Sequence, residues 1–148
     1  MITIKEISAE ETYALRQEVL RPNQPLQSCQ FDGDFDKKTF HLGAFKENQL
    51  ISIASFYCEV QASIIGKQHY RLRGMATKSD FRKEKAGSSL LRYAEQMLNE
   101  RQADVWWCNA RTEVSGYYEK LGLRKQGPVF DLPGIGPHIV MYKVLKSE

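Results

Sequence analysis

The stretch Tyr70–Leu91 holds the residues of this chain whose types and spacing are best suited to chemistry. It reads YRLRGMATKSDFRKEKAGSSLL, in which a strand-like segment precedes a basic loop and a helical pattern. Seven basic and two acidic residues lie between Arg71 and Arg92, a local charge of +5, whereas the whole chain carries +3. The first turn of a helix has unpaired N–H groups and the positive end of the helix dipole, so this loop is predicted to bind phosphate or pyrophosphate. The alternative is a solvated basic face on an ordinary loop.

The elements that must position this loop are predicted from hydrophobic periodicity and capping signals. They are strand Met1–Ile7, a helix from the Ser8–Glu11 capping box to about Leu20, strands Phe40–Lys46, Leu50–Val60 and His69–Thr77, helix Ala86–Arg101, strand Val105–Ala110, a helix from Thr112 to Gly122, and strands Leu123–Asp131 and Ile135–Leu145. A three-strand meander followed by a strand–helix–strand crossover predicts a mixed sheet with helices covering its faces. The long segment Arg21–Lys38 is of a length that often carries function.

The composition, the net charge and the cysteine pattern argue against several classes of protein. With 148 residues, 42% hydrophobic and 26% charged, the chain is predicted to form a single domain over residues 1–148. The net charge of +3 is too small to indicate nucleic-acid binding, and no stretch approaches the roughly 20 apolar residues of a membrane span. The cysteines form no CxxC pair and the histidines show no ligand spacing, so we expect reduced thiols, no metal and a cytoplasmic location.

The basic loop resembles the acetyl-CoA motif of the GNAT superfamily of acetyl-CoA-dependent N-acetyltransferases, which reads Gln/Arg-x-x-Gly-x-Gly/Ala. Arg82 fills the first position and Gly87 the last. Lys85 stands where the middle glycine usually stands, although lysine disfavours a positive φ. The resemblance implies that the cofactor pyrophosphate binds Arg82, Lys83, Lys85, Ala86, Gly87 and Ser88.

The preceding segment, Leu72–Thr77, looks like the fourth strand of that family. The resemblance implies that Met75, Ala76 and Thr77 present backbone groups to the pantetheine arm, as a peptide adds to a sheet edge. A bulge near Met75 would aim its N–H at the thioester carbonyl, which makes it the candidate oxyanion donor. The alternative is that Met75 only packs in the core.

The stretch Cys108–Leu123 is similar to the fifth strand and following helix of the family, which commonly ends in Tyr-Glu-Lys-Leu-Gly-Phe. The run Tyr118–Leu123 matches this pattern with leucine in place of phenylalanine. The resemblance implies that Asn109 contacts the cofactor and that Tyr118 binds near the sulfur, where its phenol acts as the general acid for the departing thiolate. Tyr117 is expected to be a half-buried helix aromatic.

The general base and the acceptor side are less well determined. His138, after a Pro-Gly turn, either orients or deprotonates the amine or has a structural role, and Glu59 is a second candidate base. The early loop walls the acceptor site in relatives, and its Asp32 and Asp34 would form an acidic wall suited to a cationic amine. Cys108 is expected to be a buried, inert thiol.

The resemblance implies an α/β (α+β) fold with a GNAT-like mixed, mostly antiparallel sheet of about seven strands, helices on both faces and strands splayed to hold CoA. It implies an acetyltransferase that moves the acetyl group of acetyl-CoA, its co-substrate, to a primary amine by direct attack in a ternary complex. The expected partner is a small-molecule or peptide amine, with no nucleic acid and no membrane. A homodimer is the commonest assembly in general. The alternatives are a non-catalytic acyl-CoA sensor or interaction module, and a nucleic-acid-binding domain.

Overall fold

The computed structural model describes residues 1–145, which form a mixed sheet and its helices. The strands are β1 Ile2–Ile7, β2 Phe40–Lys46, β3 Gln49–Cys58, β4 His69–Thr77, β5 Val105–Arg111, β6 Arg124–Leu132 and β7 Gly136–Val144. The α-helices are α1 Ala9–Leu15, α2 Ala86–Glu100 and α3 Ser115–Lys120.

The strands form one seven-stranded sheet in the order β1-β2-β3-β4-β5-β7-β6. Pairs β1/β2, β2/β3, β5/β7 and β6/β7 are antiparallel, whereas β4 pairs with β5 in parallel over His69–Arg71 and Val105–Trp107. The parallel pair requires a crossover, which α2 supplies. The prediction of a mixed, mostly antiparallel sheet of about seven strands is therefore confirmed.

The chain divides into two compact units. Unit 1 comprises Met1–Tyr57 and Leu72–Met97, and unit 2 comprises Cys58–Arg71 and the chain from Leu98 onward. Unit 1 contains a core cluster of Ile7, Leu15, Ile53 and Ala76. Unit 2 contains a cluster of Ile64, Val105 and Trp107, against which Val140 and Tyr142 pack.

The N-terminal helix begins as predicted and ends differently. The Ser8 hydroxyl accepts from the Glu11 N–H, and the Glu11 carboxylate accepts from the Ser8 N–H, which completes the capping box. The predicted end near Leu20 is a π-helical turn over Arg16–Leu20. This wider turn changes the direction of its side chains, and Leu20, expected on the inner face, is 39% exposed.

The elements around the basic loop agree with the sequence pattern. A 3-10 turn over Ser79–Glu84 follows β4, and α2 begins at Ala86. The periodicity that predicts this helix places five apolar residues on one face, and that face lies toward the core: Leu90, Leu91, Ala94 and Leu98 are buried and Met97 is half-buried. No helix within residues 1–145 combines the length and the apolar character that a membrane-spanning helix needs.

Candidate functional site

The end of β4 is held by the side chain of Ser52 on β3, within unit 1. The Ser52 hydroxyl donates to the Ala76 carbonyl at 3.1 Å and shares a 2.7 Å hydrogen bond with the Thr77 hydroxyl. Gly74, one residue before Met75, has a φ of +64°, a value that glycine adopts without a steric penalty. Irregular backbone therefore directly precedes the candidate oxyanion donor.

The basic loop keeps the turn that glycine would make. Lys85 has φ 61° and ψ 27°, the left-handed conformation, which costs a residue with a Cβ about 1–2 kcal/mol. Its carbonyl accepts from the Ser89 N–H at 3.2 Å, so it leads directly into the first turn of α2. Replacement of the middle glycine by lysine therefore leaves the loop with a glycine-like shape.

Positive charge surrounds the start of α2. Arg82, Lys83 and Lys85 are exposed, Ala86 is buried, and Gly87 and Ser88 are half-buried. The Glu84 carboxylate pairs with the Lys46 ammonium, which reduces the negative charge that the loop presents. The predicted pyrophosphate residues thus lie together along one segment of unit 1, at the positive end of a helix dipole.

The phenol of Tyr118 in unit 2 is kept protonated by its surroundings. Its pKa is raised well above the ordinary value of 10.0, chiefly because burial removes water and also because of Cys108 and Tyr117. The Tyr117 ring lies edge-on to the Tyr118 ring at 5.3 Å and is itself 39% exposed. Burial also raises the pKa of the Cys108 thiol to about 12, so this thiol carries no thiolate at neutral pH.

The backbone of α3 fixes the position of Tyr118. The Tyr118 carbonyl accepts from the Leu123 N–H at 3.1 Å, and the Glu119 carbonyl accepts from the Gly122 N–H at 3.0 Å. With Gly122 at φ 98°, this is the Schellman arrangement that ends a helix at glycine, as predicted for Gly122.

Asn109 and His138 lie on the paired strands β5 and β7, also in unit 2. Asn109 is half-buried and stands opposite Val140. The buried His138 has its Nδ1 at 2.8 Å from the Gly136 carbonyl oxygen, so Nδ1 carries the proton and Nε2 is the basic nitrogen of the neutral ring.

Cys108 and His138 lie at different levels of the β5/β7 strand pair. Cys108, which contributes to the raised pKa of Tyr118, stands opposite Met141 on β7, whereas His138 stands opposite Arg111 on β5. Met141 lies three residues beyond His138, and at the rise of a strand this is roughly 10 Å.

Glu59, the second candidate base, is engaged in unit 2. Its carboxylate pairs with the Arg71 guanidinium at 3.2 Å, and its backbone carbonyl accepts from the Trp107 indole at 2.9 Å. The Arg71 guanidinium also lies 5.0 Å from the Trp107 ring. The Glu59 carboxylate is thus held in an ion pair with Arg71.

A buried polar cluster in unit 1 was not identified from the sequence. The Arg16 and Asp34 side chains are fully buried and joined by two hydrogen bonds, at 2.7 and 3.0 Å. Arg16 also donates to the Cys29 carbonyl at 2.8 Å, the Ser55 hydroxyl at 2.9 Å and the Tyr57 hydroxyl at 3.1 Å. The prediction that Asp34 forms part of an acidic wall is wrong, because its carboxylate is buried inside unit 1 and paired with Arg16.

The protonation states of this cluster follow from its hydrogen bonds. The His41 Nε2 lies 3.0 Å from the Asp34 carbonyl oxygen and must donate, so Nδ1 accepts from the Ser55 hydroxyl at 2.7 Å. Burial lowers the pKa of His41 from 6.5. For Asp34 burial acts to raise the pKa, but hydrogen bonds from Arg16, Tyr57 and the Phe31 N–H together hold it below 3.8. The cluster is an ion pair beside a neutral imidazole.

One feature of the sequence could have indicated this cluster, although it was not used to predict it. Arg16 lies between Leu15 and Val19, both on the predicted inner face of the first helix. A charged residue in an apolar stripe indicates a buried partner, because an unpaired buried charge is strongly destabilising.

Comparisons with known proteins extend these observations. A family model for the acetyltransferase (GNAT) domain matches residues 4–145. The chain is 48% identical over 148 residues, 100% of this chain and 99% of the relative, to the uncharacterized N-acetyltransferase YitI of Bacillus subtilis (strain 168).

Solved structures show the same fold. An aminoglycoside 6'-N-acetyltransferase complexed with coenzyme A has a TM-score of 0.78 at 14% identity, with 99% of this chain and 98% of that chain covered. The ribosomal-protein-S18-alanine N-acetyltransferase of Escherichia coli has a TM-score of 0.77 at 16% identity, with 100% and 96% covered. Taken with the family match and the close relative, these findings show that the chain belongs to the GNAT acetyltransferase family and is an N-acetyltransferase.

Proposed function

We propose that this N-acetyltransferase moves the acetyl group of acetyl-CoA to a primary amine by direct attack in a ternary complex. The observation that carries the proposal is the Lys85 turn. It retains a glycine-like conformation and leads into the first turn of α2 among exposed cations. A loop of this kind suits a pyrophosphate, and a structure with the same fold binds coenzyme A.

Cofactor binding is assigned to two groups of residues. The side chains of Arg82, Lys83 and Lys85 would neutralise the pyrophosphate, while the N–H groups of Ala86, Gly87 and Ser88 would donate to it. The backbone of Met75, Ala76 and Thr77 would hold the pantetheine arm, with Asn109 as a further contact.

The reaction needs a base, an oxyanion donor and an acid. An unperturbed alkyl ammonium has a pKa near ~10.4, so a base must take a proton before the amine attacks. His138, with its basic Nε2, is the proposed base. The new N–C bond forms while the Met75 N–H stabilises the oxyanion. The C–S bond then breaks, Tyr118 gives its proton to the sulfur, and the second proton that the amine nitrogen loses on becoming an amide restores the phenol.

The first test is thermal unfolding with and without acetyl-CoA, with adenosine diphosphate as the control. A ligand at 100 times its Kd adds about 2.7 kcal/mol to the free energy of unfolding, so a clear rise in Tm is expected. The rise should exceed that given by adenosine diphosphate. No rise at millimolar acetyl-CoA contradicts the proposal, and a rise without turnover on a broad amine panel indicates an acyl-CoA sensor instead.

A further inference from the structure

Two ion pairs join the basic loop, residues 78–85, to other parts of unit 1. At the start of the loop, the Lys78 ammonium lies 3.5 Å from the Glu18 carboxylate of the π-helical turn. At its end, the Glu84 carboxylate pairs with the Lys46 ammonium of β2. The loop therefore contributes the cation to one pair and the anion to the other.

The two pairs are alike in accessibility and opposite in polarity. The Lys78 and Lys46 side chains are 30% and 29% exposed, so the two cations meet water to the same extent. The Glu84 side chain is more buried than that of Glu18. Water therefore screens the charge of Glu84 less than the charge of Glu18, and the neutralisation of Glu84 depends more on its partner.

Glu84 lies next to the groups that are proposed to bind the pyrophosphate. It directly precedes Lys85, the left-handed residue, and stands two residues before the buried Ala86, where α2 begins. Two peptide units place the Cα atoms of Glu84 and Ala86 no more than about 8 Å apart. The screening length at physiological ionic strength is also about 8 Å, so the charge of Glu84 acts on an anion held at the start of α2.

The outer partner of each pair changes the charge around the loop. Residues 78–85 contain four basic and two acidic residues, a net charge of +2. From outside the loop, Lys46 adds one positive charge and Glu18 adds one negative charge. Removal of Lys46 thus makes the surroundings of a bound pyrophosphate more negative, and removal of Glu18 makes them more positive.

We infer that Lys46 is a positioning residue of the cofactor site, which holds and neutralises the Glu84 carboxylate and thereby maintains the affinity for the pyrophosphate of acetyl-CoA; the inference rests on the proposed function. Without Lys46, the Glu84 carboxylate repels the phosphates, because like charges raise the free energy of the complex. Lys46 acts through Glu84 and not by a contact of its own with the cofactor. It lies 38 residues before Glu84, outside the loop motif, so the motif does not identify it.

The test measures the Kd of acetyl-CoA by isothermal titration calorimetry at about 0.1 M salt. Lys46→Met keeps the length of the side chain and loses its charge, and it should raise the Kd by about 3- to 10-fold. Lys46→Arg keeps the charge and should stay within about twofold of wild type. At about 0.5 M salt the screening length falls to roughly 4 Å, so the ratio of the Lys46→Met and wild-type Kd values should shrink.

A rescue variant and a matched control separate charge from attachment of the loop. Glu84→Gln removes the repelling carboxylate and should bind acetyl-CoA at least as tightly as wild type, and the double variant Lys46→Met/Glu84→Gln should match it within about twofold. Glu18→Gln breaks the other pair from its outer side and should bind as tightly as wild type or more tightly. If the pairs only attach the loop, Lys46→Met and Glu18→Gln should both weaken binding. Thermal unfolding without ligand establishes that every variant is folded.

The outcomes that overturn the inference differ in what they say of the proposed function. A wild-type Kd in folded Lys46→Met contradicts the inference, as does equal weakening by Lys46→Met and Glu18→Gln. A double variant that keeps the full defect of Lys46→Met contradicts it as well. In each of these cases the wild-type protein binds acetyl-CoA and the proposed function stands. A wild-type protein that does not bind acetyl-CoA contradicts both.

Discussion

One site in each unit keeps ionisable groups in opposite states. Unit 1 encloses an ion pair, Arg16 with Asp34, whose hydrogen bonds keep the carboxylate charged. Unit 2 holds the half-buried Tyr118 and the buried Cys108, whose pKa values are raised by loss of water, so both stay neutral. Burial favours the neutral form of a group unless partners stabilise its charge.

The difference indicates two different uses. A charged pair held by several donors is a fixed anchor, because removal of either partner leaves an uncompensated charge. A neutral phenol keeps a proton that it can give to a developing anion. Burial alone therefore does not identify a catalytic group. The hydrogen-bond partners of a buried group distinguish the Arg16–Asp34 pair, which is structural, from Tyr118, which is the proposed acid.

The largest expected effect comes from breaking the ion pair of Arg16 and Asp34 that anchors unit 1. Asp34→Asn leaves the Arg16 charge buried without its counter-ion, and the free energy of unfolding should fall by about 3–5 kcal/mol. Urea unfolding measures the change. The control is Arg111→Gln, which removes an exposed ion pair with Glu113 at 3.8 Å and should change the stability by less than about 1 kcal/mol. Equal losses in the two variants would contradict the anchor.

Removal of the Tyr118 hydroxyl group should lower turnover and leave the fold intact. Tyr118→Phe is expected to lower kcat by about 10- to 1000-fold, because the leaving sulfur loses its acid, while acetyl-CoA binding is retained. Tyr117→Phe is the matched control and should be close to wild type, since that side chain is partly exposed. Steady-state kinetics with a binding titration separates the two effects, and an unchanged kcat removes Tyr118 from the acid role.

The buried groups should also make the stability depend on pH at both ends of the range. The pKa values of His41 and Asp34 are lowered on folding from 6.5 and 3.8. The unfolded chain therefore takes up their protons first, and stability should fall as pH drops below 6.5 and again below 3.8. Each group contributes at most about 1.4 kcal/mol per pH unit.

At alkaline pH the sign is set by tyrosines of both units. The folded-state pKa values of Tyr57 and Tyr118 lie above 10.0, so their contribution opposes folding only as pH rises past that value. Urea unfolding from pH 3 to 11 measures both sides. His41→Gln should remove the fall in the free energy of unfolding between pH 7 and 5. If the wild-type protein shows no such fall, the assignment of a neutral His41 is contradicted.

The smallest effect concerns the strained turn. Lys85→Gly removes a Cβ from a left-handed residue, whereas Lys85→Ala keeps the Cβ and removes only the charge. The glycine variant should be more stable than the alanine variant by about 1 kcal/mol, because the steric penalty exceeds the entropic cost of glycine. Thermal unfolding measures the difference, and both variants should bind acetyl-CoA more weakly than wild type. A more stable alanine variant would contradict the strained turn.

Local sequence patterns predicted most of the fold. The Ser8–Glu11 capping box, the apolar stripe of α2 and the glycine stop at Gly122 depend on residues close in the chain, and all three are confirmed. The charge of the basic loop and its place before a helix predicted phosphate binding from the residues alone. The family resemblance supplied its assignment to the cofactor and the roles of the Tyr118 run, which remain predictions.

The rest depends on contacts between residues distant in the chain. Arg16 and Asp34 are separated by a segment with little regular structure, so no periodicity connects them. The π-helical turn over Arg16–Leu20 also has no local signal in the sequence. The tautomer of His138 likewise depends on the Gly136 carbonyl, which only the folded hairpin brings into place.

The Arg16–Asp34 pair has a consequence for evolutionary divergence. It ties the early loop to the body of unit 1 through one side chain and one carbonyl, those of Asp34 and Cys29. The exposed residues Asp32, Phe35 and Asp36 of that loop are not themselves part of the pair. Mutations there can accumulate with little loss of stability, because surface substitutions usually change it by less than about 0.5 kcal/mol. One internal anchor thus lets the exposed part of the loop change in sequence while the loop keeps its attachment.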